Sequence, residues 1–175
     1  MSELFSIQLQ NRQQQGRDGV WLDLPTTTEQ VQAALRQIGI SSDNPQGLFI
    51  SGYFAEEEKR FAIPYNMVLA SNVDELNFLA SRLETLSTGE RAELNAALQA
   101  PQSELFSIGR ITDFPENVDY YVYLPDVHGP AQLGDYYLNR SGMVDMPEEW
   151  KGGIDTAQFG RYVAQQEQGV FTEYG

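Results

Sequence analysis

Glu148-Glu149-Trp150 sets two carboxylates beside an indole. A pair of acids flanking a bound sugar is the equipment of a glycoside hydrolase. The same two residues also suit the first turn of a helix, where acids face the positive end of the helix dipole. Glu56-Glu57-Glu58 is a second acidic run, but Lys59-Arg60 follows it directly and the run reads as a solvated loop tip. His128 is the single histidine and stands before Gly129-Pro130 in a turn. One His without Cys makes a zinc site only if carboxylates supply most of the ligands, so His128 reads as a structural or exposed residue. A Ser-His-Asp triad is formally available, yet nothing singles out a serine. The chain has no phosphate-cradling Gly-rich loop and no Gly-x-Ser-x-Gly elbow. With zero Cys, disulfides, thiolate catalysis and cysteine metal sites are excluded. The expectation is a protein that is not an enzyme, with no catalytic residues, no metal and no cofactor.

Charge is the feature left to explain. There are 25 Asp and Glu against 11 Lys and Arg, net −14 over 175 residues. Phosphate backbones need cations, so neither nucleic acid nor an anionic membrane surface is an expected partner. The acids are dispersed. Residues 104–175 carry 12 acids and 4 bases, and residues 1–103 carry 13 and 7. Single carboxylates without basic neighbours describe a charged surface better than a site. The candidate partner-binding surface comprises Glu56, Glu57, Glu58, Asp74, Glu75, Glu84, Glu93, Asp113, Glu116, Asp119, Asp126, Asp135, Asp145, Glu148, Glu149, Asp155, Glu167 and Glu173.

Nine Tyr, nine Phe and two Trp argue against disorder, because large aromatics supply the buried area that offsets chain entropy. The N-terminus lacks the apolar core of a signal peptide, and no run approaches the ~20 apolar residues of a membrane span. The expected location is the cytoplasm.

The elements follow from periodicity. Residues 3–10 alternate, with Phe5, Ile7 and Leu9 on one face, and predict a strand. Gly19–Leu24 predicts a second, after a polar loop. Thr26-x-x-Glu29 has the form of a capping box and opens a helix whose apolar face is Val31, Ala34, Leu35 and Ile38; Gly39 suits its C-terminal turn. Leu48–Phe54 and Arg60–Tyr65 read as strands. Ser71 is placed to cap a helix carrying Val73, Leu76, Leu79, Leu83 and Leu86. Ser87-x-x-Glu90 is a second capping box, opening a helix with Leu94, Ala97 and Leu98 that Pro101 closes. Val118–Leu124 has strand propensity. Residues 131–139 and 155–166 read as helices, the latter with Phe159, Tyr162 and Val163 inward, and 147–150 reads as a helical turn. A last strand follows Gly169. The class is α+β, in three modules: a β-sheet plus helix (1–65), a helical middle (66–102) and a β-sheet plus helices (103–175).

The ordered series of these segments resembles the ArdA antirestriction proteins. Gly19-Val20-Trp21-Leu22-Asp23-Leu24-Pro25 is similar to the family's first-helix approach, and Phe49-Ile50-Ser51-Gly52-Tyr53 to its following Phe-Ile-x-Asp-Tyr strand, with Gly52 where that pattern has Asp. Asn72–Leu98 resembles its leucine-rich middle. Phe159-Gly160-Arg161 and Gly169-Val170-Phe171 resemble elements near its end. The resemblance implies an acidic, elongated, three-module protein of plasmids and conjugative transposons that pairs as a homodimer. It implies imitation of bent duplex DNA, occupation of the DNA-binding groove of type I restriction-modification enzymes at their methyltransferase core, and inhibition of restriction and, to varying degrees, modification. Two other readings stay open: an acidic interaction module of a mobile element with another basic client, and a carboxylate-pair hydrolase.

The hexapeptide Ser-Glu-Leu-Phe-Ser-Ile occurs at 2–7 and again at 103–108. The first copy sits in alternating sequence. The second follows Pro101, with Ser103 placed to cap a helix. The expectation is one sequence in two structures, marking module boundaries, with a diverged repeat as the open alternative.

Overall fold

Alternation along Phe5, Ile7 and Leu9 is realised as the buried face of β1 (Phe5–Asn11) in a computed structural model that describes residues 3–14, 18–41, 45–101, 103–118 and 121–175. β1 is the centre of a three-stranded antiparallel sheet, flanked by β2 (Val20–Leu24) and β3 (Leu48–Phe54). Ile7 lies opposite Leu22 and Tyr53, and Leu9 opposite Val20 and Ile50. The register of β3 slips between Gln8 and Leu9. Ser51 is the extra residue of this bulge, and its hydroxyl donates to the Gln8 side chain at 3.0 Å. Part of the polar loop after β1, residues 15–17, lies outside the described residues.

Helix α1 (Thr28–Gln37) starts one residue later than the Thr26-x-x-Glu29 pattern predicts. Thr27 is the N-cap and Gln30 closes the box. Thr26 is already engaged: its N–H donates to Asn77 Oδ1 at 2.7 Å and its C=O accepts from Asn77 Nδ2 at 3.0 Å. Ala34 and Ile38 are buried as expected, and Gly39 ends the helix at φ +73°.

Arg60–Tyr65 is not a strand. Residues 60–64 run without regular structure, although Phe61 and Ile63 are buried in strand-like alternation. Pro64 supplies no N–H to a ladder and stands before an unforeseen short helix, α2 (Tyr65–Leu69), packed on β3. Ser71 closes α2 by donating to Met67 O at 2.8 Å. Asn72, not Ser71, therefore caps α3 (Val73–Glu84), accepting from Glu75 N at 2.9 Å. Val73, Leu76, Leu79 and Leu83 are buried on the inner face of α3, at helical spacing. Helix α3 packs on β2 and on α5 (Ile108–Thr112). The Ser87–Glu90 box forms as the sequence requires: Ser87 N reaches Glu90 Oε2 at 2.8 Å and Glu90 N reaches Ser87 Oγ at 3.3 Å, opening α4 (Thr88–Gln99).

The chain packs as two compact units, residues 1–91 with 104–118, and residues 92–103 with 119–175. The division passes through α4. The second SELFSI copy differs from the first as expected, but Ser103 is not a cap: residues 103–107 are irregular, and Ser107 caps α5 with Oγ accepting from Arg110 N at 3.3 Å.

In the second unit Val127, Leu133 and Val163 form the buried centre, with Leu124, Tyr136, Tyr137, Phe159 and Phe171 against it. Helix α6 (Pro130–Asp135) runs into a π-helical turn, Tyr136–Arg140; α7 (Glu148–Lys151) and α8 (Thr156–Glu167) follow. Helices α6 and α8 approach at two glycines. A Cβ on Gly134 would lie 1.9 Å from Thr156 O, and one on Gly160 would lie 1.8 Å from Pro130 O. That contact turns Gly160 and Val163 inward and leaves Tyr162 outward, 60% exposed, against expectation. The α+β class stands on the one sheet found among the described residues, in the first unit. Residues 121–124 and 169–172 are irregular, not strands: no partner strand flanks them among the described residues, and the chain ends in a turn in which Thr172 N donates to Gly175 O at 2.9 Å. Of the Val118–Leu124 expectation, Val118 is in a helical turn, not a strand, and residues 119–120 lie outside the described residues. Among the described residues no helix is long and apolar enough to cross a membrane.

Candidate functional site

The carboxylates reach the surface by a few local rules. Asp74 and Glu75 occupy the first turn of α3 behind its Asn72 cap, and Glu148 and Glu149 the first turn of α7; helix N-termini attract negative charge. Asp155 caps α8, its Oδ1 accepting from Gln158 N at 2.9 Å. Glu56, Glu57 and Glu58 stand at the 3₁₀ turn after β3. Of the expected surface, Glu75, Glu84, Glu93 and Asp135 are half-buried, and Glu56, Glu57, Glu58, Asp74, Asp113, Glu116, Asp126, Asp145, Glu148, Glu149, Asp155, Glu167 and Glu173 are exposed. Asp119 lies outside the described residues.

Six more acids share that exposure and were not singled out from the sequence: Glu3, Asp18, Asp23, Glu29, Glu90 and Glu104. Their signals were present. Asp23 alternates with buried Leu22 and Leu24 on β2, and Glu29 and Glu90 sit in helix first turns. The Glu29 carboxyl is held below its ordinary pKa by its own backbone N–H and then by Thr27. Ser87, through its side chain and then its backbone, does the same for Glu90. Both therefore stay charged as the pH falls toward the carboxylate range.

Most of the described bases are engaged within the chain. Lys59 pairs with Glu56 at 3.1 Å, Arg110 with Glu104 at 3.6 Å, Arg140 with Asp135 at 3.6 Å and Lys151 with Glu148 at 2.6 Å; Arg82 pairs with Glu116. Arg12 lies over the Phe49 ring at 5.3 Å and Arg91 over Phe61 at 4.9 Å. Among the described residues Glu57, Glu58, Asp74, Asp113, Asp126, Asp145 and Glu149 have no ion-pair partner. Cations are thus used locally while carboxylates face solvent. Each unit carries a net −7: fifteen acids and eight bases in the first, ten and three in the second.

The groups that could have done chemistry stand apart. Glu148 is tied to Lys151, Glu149 points to solvent and Trp150 is 66% exposed. The His128 side chain is exposed, while its backbone N–H donates to Gln132 Oε1 at 2.8 Å. The described residues bring no three His, Asp or Glu side chains together in a set that could hold a metal ion.

A family model described as antirestriction protein (ArdA) matches residues 15–175. No curated protein matches the sequence.

Proposed function

The chain belongs to the ArdA antirestriction protein family, and from that premise we propose that it acts as an acidic DNA mimic. In this reading it occupies the DNA-binding groove of a type I restriction-modification enzyme, at the methyltransferase core, and blocks restriction and, to a degree set by the enzyme, modification. It works in the cytoplasm of a cell receiving a mobile element, as a homodimer, and catalyses nothing.

One observation carries the reading: every described carboxylate is exposed or half-exposed, while most described bases are paired or stacked inside the chain. A groove built for phosphates meets carboxylates spread over a surface, not a focus of charge at one point. Two copies carry −28, the charge of about 14 base pairs of duplex. Such charge speeds encounter with a basic groove by long-range attraction. It also makes binding sensitive to ionic strength, since exposed charges more than about 8 Å apart are screened at physiological salt.

The test is competition between this protein and a labelled duplex for a purified type I methyltransferase core across a salt series. The expected result is displacement of the duplex that weakens steadily as salt rises, with no binding of the protein to DNA itself. Displacement that ignores salt contradicts the electrostatic mechanism. Failure to displace, together with capture of an unrelated basic protein, favours the interaction-module reading.

A further inference from the structure

The second unit contains an open groove of about 540 Å³, a volume in the range of small-molecule sites. One wall is the small-residue face of α4, Ala96, Ala97 and Ala100; Leu124, Val127 and Leu133 contribute apolar surface. Three tyrosines, Tyr121, Tyr123 and Tyr137, also line it. Two of their hydroxyls are placed by hydrogen bonds, Tyr123 to Tyr174 O at 2.7 Å and Tyr137 to the Glu167 carboxylate. Tyr137 belongs to the π-helical turn after α6, a distortion that re-aims side chains and often marks a functional site. Among the described residues the charged side chains of the lining are Glu93 and Glu167, and no Lys, Arg or His contributes to it.

A groove with alanine, leucine and tyrosine walls and two carboxylates, and with no Lys, Arg or His among the described residues that line it, suits a long apolar stem ending in a delocalised positive charge. We propose that this groove receives an arginine side chain of the basic protein partner. The proposal rests on the DNA-mimic reading for the identity of that partner. The methylene stem of arginine fits the alanine and leucine surface. Its planar guanidinium stacks on tyrosine and pairs with a carboxylate in ways a lysine ammonium does not. The groove would add a shape-specific anchor to a contact that is otherwise distributed charge.

Two arms test this on the full-length protein. In the first, N-acetyl-arginine methylamide is titrated into the isotope-labelled protein, with N-acetyl-citrulline methylamide as the uncharged isostere and N-acetyl-lysine methylamide as the point-charge control. The expected result is NMR shifts confined to groove residues such as Ala100 and Gly169, with the arginine probe binding about tenfold more tightly than either control and weakened by Glu167→Gln. Equal response to the three probes, shifts only elsewhere, or groove resonances that change with protein concentration alone (a second copy covering the site) each overturn it.

The second arm uses Ala100→Phe, which narrows the groove and leaves the net charge at −14; circular dichroism and the melting temperature establish that it folds. It is expected to compete for the methyltransferase core about tenfold less well than the parent protein, a loss of the size that follows from removing one anchor. A folded Ala100→Phe protein that competes fully overturns the anchor. The probe arm needs no restriction enzyme, so it still reads the groove if the DNA-mimic reading fails.

Discussion

Asn77 and Tyr53 are two residues whose local geometry fixes an expected outcome. Asn77 uses both halves of its amide on the backbone of Thr26, joining α3 to the segment between β2 and α1. Asn77→Ala leaves a part-buried N–H and C=O without partners, which costs about 1–3 kcal/mol each way such a group is stranded; urea unfolding is expected to show a loss in that range, and a loss below experimental error contradicts the clamp. Tyr53 is the opposite case. Its ring packs edge-on against Phe5 at 5.4 Å, but its buried hydroxyl has no hydrogen-bond partner among the described residues. Burial pushes its pKa up to about 12 from an ordinary 10. The folded state therefore holds this proton more tightly than the unfolded chain, so its contribution is whole below pH 10 and is lost as the pH rises through about 12. Tyr53→Phe is expected to be neutral or up to ~1 kcal/mol stabilising at neutral pH, and to unfold less steeply between pH 10 and 12. Melts at pH 7 and pH 11 check both, and a clear destabilisation at pH 7 means the hydroxyl is bonded after all.

At the element scale the glycines of α6 and α8 separate structure from accident. Gly160→Ala drives a methyl into Pro130 O and is expected to cost ~1–3 kcal/mol by forcing the helices apart. Gly89→Ala, in the first turn of α4 with open space around it, is expected to stabilise by up to ~1 kcal/mol. Thermal melts of the two variants should move in opposite directions. The Ser87–Glu90 box adds a pH signature: because the folded Glu90 pKa is depressed, its contribution is present above the ordinary carboxylate range and lost as the pH falls through that lower value. The melting temperature lost by Ser87→Ala should therefore shrink in acid. Elements with strong period and local caps were legible in the sequence: β1, β2, β3, α1, α3, α4 and α8. Those that failed were decided elsewhere. The Tyr-rich run at 121–124 has strand composition but, among the described residues, no partner strand to pair with. Arg60–Tyr65 alternates correctly yet ends at Pro64. The α1 cap moved by one residue because Asn77, distant in sequence, holds Thr26. Tyr162 lies outward because a glycine contact sets the rotation of α8. Each is a tertiary decision that a window of neighbours does not contain.

For the whole molecule the quantity that matters is the sum of many small charges. The exposed carboxylates were legible because polar, dispersed acids have nowhere to go but the surface; Glu29 and Glu90 were passed over as capping residues though they carry the same charge. The groove of the second unit was not legible, since it is assembled from α4, the run after 120 and the C-terminal tail. Distributed charge predicts distributed tolerance: Asp74→Asn or Glu149→Gln alone should reduce inhibition less than about twofold, while six or more such changes together should abolish it at physiological salt. A single exposed acid whose loss is fatal contradicts a mimic of evenly spaced phosphates. The most direct measurement is the plating efficiency of unmodified phage on a host carrying a type I restriction system, with and without this protein, beside an isogenic host lacking the system. The account predicts that expression raises plating on the restricting host toward the level of the non-restricting one and leaves the latter unchanged; restriction that persists undiminished at full expression, across the type I families, contradicts it.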